Sequence, residues 1–443
     1  MKTPICDFCE SYQKSSPLRF HMPGHKGKGF LGVESLDITE ITGADVLYNA
    51  NGIIKESEEN ASRLYDSKAT FYSTEGSSLS IRAMLYLTKK YALEMGKKPL
   101  ILAGRNAHKA FVTASALLDI EVRWLYPKEN ILSLQIDIFE LEKEIKALKP
   151  VAFFITSPDY LGKLSDIKKI AEICKKNDVL LLVDNAHGSY LKFLRNSLHP
   201  LDLGADLCCD SAHKTLPVLT GGGYLHIGKN APKFFAQNAE NALSIFASTS
   251  PSYLILQSLD RANLCLENGI KSDLKNVISR VETLKENLKN YGFFDVSDEP
   301  LKVTLATKKM GYFGFQIAEI LEKKGIFCEF FDPDFITFMF SSKTENEGIE
   351  RLEKELLALP KSEEILTPTP TVKPLNKAIS SAKALFSKRE KIEVEKAVGR
   401  VVADLTVNCP PAICIAVLGE EISAEAVDCF KYYGIDSVYV VKE

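Results

Sequence analysis

The chain has 443 residues, 45% of them hydrophobic, with 55 basic and 58 acidic side chains and a formal net charge of -3. A single hydrophobic core stops growing near roughly 250 to 300 residues, so two or three domains are expected. The near-neutral, interspersed charge offers no electrostatic footprint for nucleic acid or an anionic membrane, and no apolar run is long enough to span a bilayer. The expected partners are small molecules and other subunits.

At the N-terminus, Met-Lys-Thr-Pro-Ile-Cys-Asp lacks the apolar stretch of a secretory signal, and a cytoplasmic location is expected. Ten scattered cysteines in a chain of this size fit reduced, buried thiols rather than a disulfide framework. Cys6 and Cys9 form a Cys-x-x-Cys with no second pair nearby, so they read as apolar positions of an N-terminal helix. His21 and His25 flank Met-Pro-Gly, where proline and glycine oppose a regular helix, so their spacing makes no metal site. No metal is expected.

Residues 58–68 and 77–95 are predicted helices. The second is preceded by Ser-Thr-Glu-Gly-Ser-Ser (73–78), so the amides of Gly76, Ser77 and Ser78 would form the positive end of a helix. Such an end seats a phosphate, although serines in the same places also serve as plain N-caps. Short apolar strands are predicted at 100–103, 121–125, 151–156, 179–184 and 206–209, with lysine-rich amphipathic helices at 137–148 and 165–177. This alternation predicts an α/β fold whose mostly parallel sheet is covered by helices, with the ligand beyond the strands' C-terminal ends. His108 follows the first of these strands in a loop, where its imidazole could lie flat on a cofactor ring.

The run Val-Leu-Leu-Leu-Val-Asp (179–184) ends on Asp184, and thirty residues later Lys214 sits in Asp-Ser-Ala-His-Lys-Thr-Leu-Pro-Val-Leu-Thr-Gly-Gly-Gly (210–223). A carboxylate closing a buried strand, followed by a lysine amid hydroxyls and glycines, is what pyridoxal phosphate (PLP) requires. The lysine forms a Schiff base with the cofactor aldehyde, and the carboxylate pairs with the pyridinium nitrogen so that the ring accepts electrons. Ser211 and His213 flank the lysine, and His187 lies three residues past Asp184, where it could orient it or meet a substrate carboxylate.

Beyond residue 275 the pattern changes to a helix over 274–291 and then to short strands and helices as far as Leu359. A segment containing Pro360, Pro368, Pro370 and Pro374 follows, then a predicted helix at 375–387 and a helix-strand ending. The expected domains are an N-terminal arm with a PLP-binding major domain over 1–275, a small α/β domain over 276–360 and a C-terminal domain over 361–443.

Phe-His-Met-Pro-Gly-His-Lys-Gly (20–27), Asp-Ile-Thr-Glu (37–40), Arg-Asn-Ala-His-Lys (105–109), Thr-Ser-Pro-Asp-Tyr-Leu-Gly (156–162), Val-Asp-Asn-Ala-His-Gly (183–188), Ser-Ala-His-Lys (211–214) and Ser-Thr-Ser-Pro-Ser-Tyr (248–253) occur in that order. Together they resemble the short bacterial ornithine/lysine/arginine decarboxylases, PLP enzymes of fold type I, the aspartate aminotransferase fold. Ala-Val-Gly-Arg-Val (397–401) and Pro-Pro-Ala-Ile (410–413) extend the resemblance to that family's C-terminal domain. Three departures stand out against the family pattern: Glu75 in place of the larger relatives' asparagine, Ala212 in place of threonine and Ala412 in place of glycine.

The resemblance implies that Lys214 carries the Schiff base, Asp184 pairs the pyridinium and His108 stacks on the ring, while Ser77, Ser78, Ser211 and His213 hold the phosphate. It also implies a homodimer or higher even oligomer with shared sites, in which Thr249 or Ser250 reaches the neighbouring subunit's phosphate. The expected reaction is loss of carbon dioxide from arginine first, then lysine or ornithine, feeding polyamine synthesis. A basic substrate needs an acid for its far end, and Asp37, Glu40 and Asp45 in the N-terminal segment are the candidates, Glu40 and Asp45 foremost. The alternatives are an aminotransferase or lyase on the same fold, which would want a strong arginine clamp for the α-carboxylate, and a catalytically silent PLP-binding regulatory subunit.

Overall fold

The computed structural model describes residues 1–126, 135–371, 373–408 and 414–442, so the Pro-Pro-Ala-Ile motif lies outside the described residues. The chain forms two compact units, one of Met1–Lys98 with Ile167–Ser272, the other of Pro99–Asp166 with Asp273–Glu443. The strands that carry the α/β rhythm are β1 (Ala69–Ser73), β2 (Leu100–Gly104), β3 (Glu121–Leu125), β4 (Ala152–Thr156), β5 (Leu180–Asp184), β6 (Leu207–Asp210) and β7 (Gly223–Ile227). Five of these meet the sequence expectation to within a residue or so, β2, β4, β5 and β6 as near-continuous apolar runs and β3 as the alternating Glu-Val-Arg-Trp-Leu. The sequence pattern does not mark β1 and β7, because Ala-Thr-Phe-Tyr-Ser and Gly-Tyr-Leu-His-Ile each mix apolar with polar or glycine positions.

In the first unit the strand order is β1-β7-β6-β5. β7 runs antiparallel to both β1 and β6, while β6 and β5 are parallel. The helix Gly76–Glu94 packs on this sheet, and its Leu79, Ile81, Ala83, Met84 and Leu87 are fully buried. Burying five such side chains contributes on the order of 1.5 to 3 kcal/mol for each large one, enough to hold the helix and its N-terminus in place. The helix Ile53–Tyr65 starts five residues earlier than expected. Its first turn is capped from outside, because Asp45 Oδ2 accepts the N–H groups of Gly52, Ile54 and Lys55 at 2.8, 3.0 and 3.3 Å.

The N-terminal helix Pro4–Lys14 docks on the helix Tyr253–Asn268 through Asp260, whose Oδ2 accepts the N–H groups of Ile5 and Cys6, both at 3.0 Å. Cys6 and Cys9 sit on the buried face as free thiols. Burial, followed by the charge of Asp260, pushes both up to about 12, so they are inert apolar positions.

The second unit holds β4-β2-β3, all parallel, and the antiparallel set of β8 (Lys302–Ala306), β10 (Phe335–Met339) and β9 (Phe330–Phe331) in the order β8-β10-β9. Two further pairs follow, β11 (Arg389–Glu393) with β14 (Ser437–Val441) and β12 (Thr406–Asn408) with β13 (Cys414–Val417). The helix expected over 375–387 is confined to Ser381–Phe386. Ahead of it the backbone runs extended, with Ala378 and Ile379 donating to Gly419 O, and Ser380 then caps the short helix by accepting from Lys383 N–H. Among the described residues no helix is long and apolar enough to cross a membrane.

Candidate active site

Strand register assembles the site in the first unit. Ser73 at the end of β1 faces Gly223 at the start of β7, Asp210 at the end of β6 faces Tyr224, and Asp184 at the end of β5 faces Cys209. The Ser-Thr-Glu-Gly-Ser-Ser loop, the glycines before β7, the Ser-Ala-His-Lys run and the Asp-Asn-Ala-His run therefore emerge along one edge of the sheet.

Asp184 is 2% exposed. Its Oδ1 accepts from Ala186 N–H at 3.1 Å and from the Cys209 thiol at 3.5 Å. Burial pushes its carboxyl above the usual range, against the pull of the Lys214 charge and these donors. Lys214 projects from the one-turn helix Ala212–Thr215, and its Nζ lies 2.9 Å from His187 Nε2. Three of the expected catalytic residues thus occupy one place, two of them joined directly.

The residues expected to hold a phosphate also come together in the first unit. Gly76 has φ +67°, and its N–H donates to Gly221 O at 2.6 Å. Ser211 Oγ donates to Ser77 Oγ at 2.8 Å, which joins the lysine segment to the helix N-terminus. His213 is held by its main-chain N–H on Gly222 O at 3.1 Å and by Nδ1 at 2.9 Å from the same oxygen. The glycines are required here: a Cβ on Gly223 would lie 2.9 Å from Asp210 O and 3.0 Å from Gly76 C, and one on Gly221 would lie 2.8 Å from Thr74 O. The helix Gly76–Glu94 has no side-chain cap of its own, so its first amides face this polar corner.

Not every expected residue joins this cluster. Thr249 and Ser250 are exposed, and their loop is tethered within the chain by Ser248 N–H donating to Glu75 Oε1 at 2.7 Å. His108 belongs to the second unit, where it caps the helix Lys109–Leu117 with its Nδ1 accepting from Ala110 N–H at 3.1 Å. Asp45 does not match the role of substrate receptor. Both its oxygens accept main-chain N–H groups, from Val46 and Asn51 as well as from the helix start, and these bonds outweigh partial burial and hold it below the usual carboxylate range. Asp37 faces His25 at 3.2 Å, and Glu40 is exposed.

Sequence reasoning passed over Asp210, Asn185, His199 and His226, all fully buried behind the site. Asp210 Oδ1 accepts from Asn185 Nδ2 at 2.7 Å, and its Oδ2 lies 3.1 Å from His199 Nε2 and 3.4 Å from His226 Nε2. The signal was present, since Leu-Cys-Cys-Asp ends on an acid as Leu-Leu-Val-Asp does. Ligand-type atoms of His199, Cys208 and Asp210 come within 4.8 Å of one another. His199 Nδ1 accepts from Leu201 N–H at 3.4 Å, however, so Nε2 carries the proton and donates to Asp210. The cluster is a hydrogen-bonded one rather than a set of lone pairs around a cation.

The residues present fit PLP. A helix end with a hydroxyl pair suits a phosphate dianion, a buried carboxylate held above its usual range suits a pyridinium nitrogen, and a lysine amine held beside a histidine suits an aldehyde.

The sequence pattern of the Orn/Lys/Arg decarboxylase major domain matches residues 3–299. The chain is 28% identical to an arginine decarboxylase of Bacillus subtilis, over 96% of this chain and 92% of that protein. It is equally similar, at 28%, to an arginine decarboxylase of Halalkalibacterium halodurans, over 95% of this chain and 91% of that one. Among solved structures, the Francisella novicida lysine decarboxylase LdcF superposes with a TM-score of 0.79 at 17% identity, covering 99% of this chain and 81% of that one. That likeness establishes the fold of PLP-dependent fold type I enzymes. With two thirds of its length matched by the family pattern, this chain belongs to the Orn/Lys/Arg decarboxylase family and is a carboxy-lyase.

Proposed function

We propose that the protein decarboxylates a basic L-amino acid, arginine ahead of lysine and ornithine, to the corresponding amine of polyamine synthesis, with PLP as cofactor. The observation that carries this reading is the convergence of Asp184, His187 and Lys214 with the Ser77–Ser211 seat on one sheet edge. Arginine is placed first because two relatives named arginine decarboxylase align with at least 95% of this chain at 28% identity. The constitutive lysine decarboxylase of Escherichia coli aligns with 77% of the chain at 23%.

When bound, PLP supplies an aldehyde that captures the substrate amine and a ring that takes up the electrons of the broken Cα–carboxylate bond. The chain's own residues do the rest. Ser77, Ser78, Ser211, His213 and the amides from Gly76 onward hold the phosphate. Asp184 keeps a proton on the ring nitrogen, since its desolvated carboxylate gains most from a cationic partner. Lys214 would hold the cofactor, and its Nζ, 2.9 Å from His187, is placed to carry a proton to the substrate's Cα.

The working form in this reading is a homodimer in which Thr249 or Ser250 reaches the partner's phosphate. The N-terminal arm supports it: Phe20 and Phe30 are 92% and 105% exposed, and Leu18, Met22 and Leu31 lie open beside them, an apolar stretch that an isolated subunit rarely presents. Glu40, in the same arm, is the remaining acid for the substrate's distal cation.

The test is product analysis by mass spectrometry after incubation with mixed arginine, lysine and ornithine. Agmatine is the expected amine. A protein that forms no amine, stays colourless with added PLP and shows no borohydride-fixed label on Lys214 would overturn the reading.

A further inference from the structure

We infer that Asp210 is a positioning residue for the cofactor site, an ionised carboxylate that locks the ends of β5 and β6 together through Asn185 and adds a second buried negative charge beside Asp184. The inference rests on the PLP reading above.

The geometry starts from chain position. Asn185 directly follows the ring-nitrogen carboxylate, and Asp210 directly precedes the Ser-Ala-His-Lys run, so the Asn185–Asp210 bond of 2.7 Å ties together the two segments that carry Asp184 and Lys214. Asn185 N–H also donates to Cys209 O at 2.9 Å, continuing the β5–β6 ladder to its last rung. A shift at either strand end would move Asp184 and Lys214 relative to one another.

The charge state follows from the donors. His199 offers Nε2–H, as its tautomer requires, His226 Nε2 faces the same oxygen, and Asn185 Nδ2–H and the Cys208 thiol at 3.6 Å face the other. A carboxylate surrounded by donors stays ionised even when buried, and Asp210 is held far below the usual range, against burial, chiefly by His199 and His226. The rings of Tyr65 and Tyr224 close the pocket against His226, at centroid distances of 4.4 and 5.2 Å. Burial holds His226 below the usual imidazole range, so it contributes no full cation. The negative charge of Asp210 is therefore felt by its neighbours, and it acts to raise the proton affinity of Asp184. A cationic, protonated cofactor gains from both carboxylates, whereas a deprotonated one does not.

Asp210→Asn in the full-length chain separates this role from plain packing. The new amide oxygen accepts from both histidines, and its NH2 donates to the Asn185 amide once that side chain turns over to present Oδ1, an oxygen that has no partner in the native chain. The variant is therefore expected to fold. The readout is the pH titration of the visible absorption of bound PLP in the resting protein, with circular dichroism as the folding control. The transition is expected to move to lower pH by about half a unit or more, threefold in proton affinity. The exchange variant Asn185→Asp/Asp210→Asn, which returns one carboxylate to the same pair, is expected to recover at least half of that shift.

A coloured, folded D210N protein that titrates with the native one, even if it melts earlier, overturns the inference alone. So does an exchange variant that fails to restore the native titration. Should Asp210→Asn not fold, Asp210→Thr, whose hydroxyl can accept from the histidines, replaces it under the same expected shift and the same contrary outcome. A native chain that takes up no PLP would remove the functional reading itself.

Discussion

Two parts of this molecule bury full charges, and they do so differently. In the second unit Arg105 is fully buried with four N–H groups on four oxygens: Cys414 O at 2.7 Å, Ile415 O at 3.1 Å, and Glu420 Oε1 and Oε2 at 2.8 and 2.7 Å. Trp124 and Tyr126 stack near its guanidinium at 5.2 and 5.0 Å. Despite burial, the Glu420 charge raises its proton affinity further. In the first unit Asp184 is almost as deeply buried, yet it remains above the usual carboxylate range even with Lys214 nearby. Arg105 is paired by the chain's own groups and belongs to the fold, whereas Asp184 still gains from a cationic ligand.

The comparison can be broken from either side. Lys214→Ala is expected to reduce amine formation by at least about 10³-fold and to abolish borohydride labelling, while the unfolding free energy of the cofactor-free protein in urea stays within about 0.5 kcal/mol of native. Arg105→Met should do the reverse to the fold. It strands the Glu420 carboxylate in the interior and is expected to destabilise by about 3 to 5 kcal/mol, read by urea unfolding. Arg105→Met/Glu420→Leu should recover most of that loss, because an apolar pair leaves no orphaned charge.

Asp184→Asn sharpens the contrast, because it should lower activity and yet strengthen the empty fold. Burial raises the Asp184 pKa above that of the unfolded chain, so its contribution to stability is intact below the ordinary carboxylate range and lost as pH rises through the folded value. An asparagine removes that loss. Cofactor-free Asp184→Asn is expected to be at least as stable as the native protein at neutral pH, with the advantage vanishing in acid, while its kcat falls by about 10² to 10⁴. A variant less stable than the native protein at neutral pH would mean that Asp184 is structurally paired after all.

The same distinction explains what the sequence could and could not reveal. Four of the five expected strands are legible because burial on both faces writes a near-continuous apolar run, β3 because its polar and apolar residues alternate, and Asp184 stands out as the acid that ends such a run. Lys214 stood out for its hydroxyl and glycine neighbours. Asp210 was hidden, because the histidines that hold it, His199 and His226, come from positions 11 residues before and 16 residues after it, and only the folded sheet brings them together. Arg105 was read as one member of a motif, while its actual partners lie more than 300 residues away. The inclusion of residues 99–166 in the same unit as the C-terminal segments is likewise a property of packing and leaves no composition shift to read.

The acids of the N-terminal segment give the smallest and finest test of the same rule. Asp45 already has a complete set of main-chain donors, and Glu40 is exposed. Asp45→Ala is then expected to behave like the loss of a helix cap, destabilising by about 1 kcal/mol with KM for the basic amino acid unchanged. Glu40→Ala should leave unfolding unaffected and raise KM several-fold with little change in kcat, since an interaction with the substrate's far end is made equally before and during bond breaking. If instead KM rises for Asp45→Ala and not for Glu40→Ala, a carboxylate saturated by its own backbone has bound a ligand, and in this chain the pairing of a charge would no longer separate fold from site.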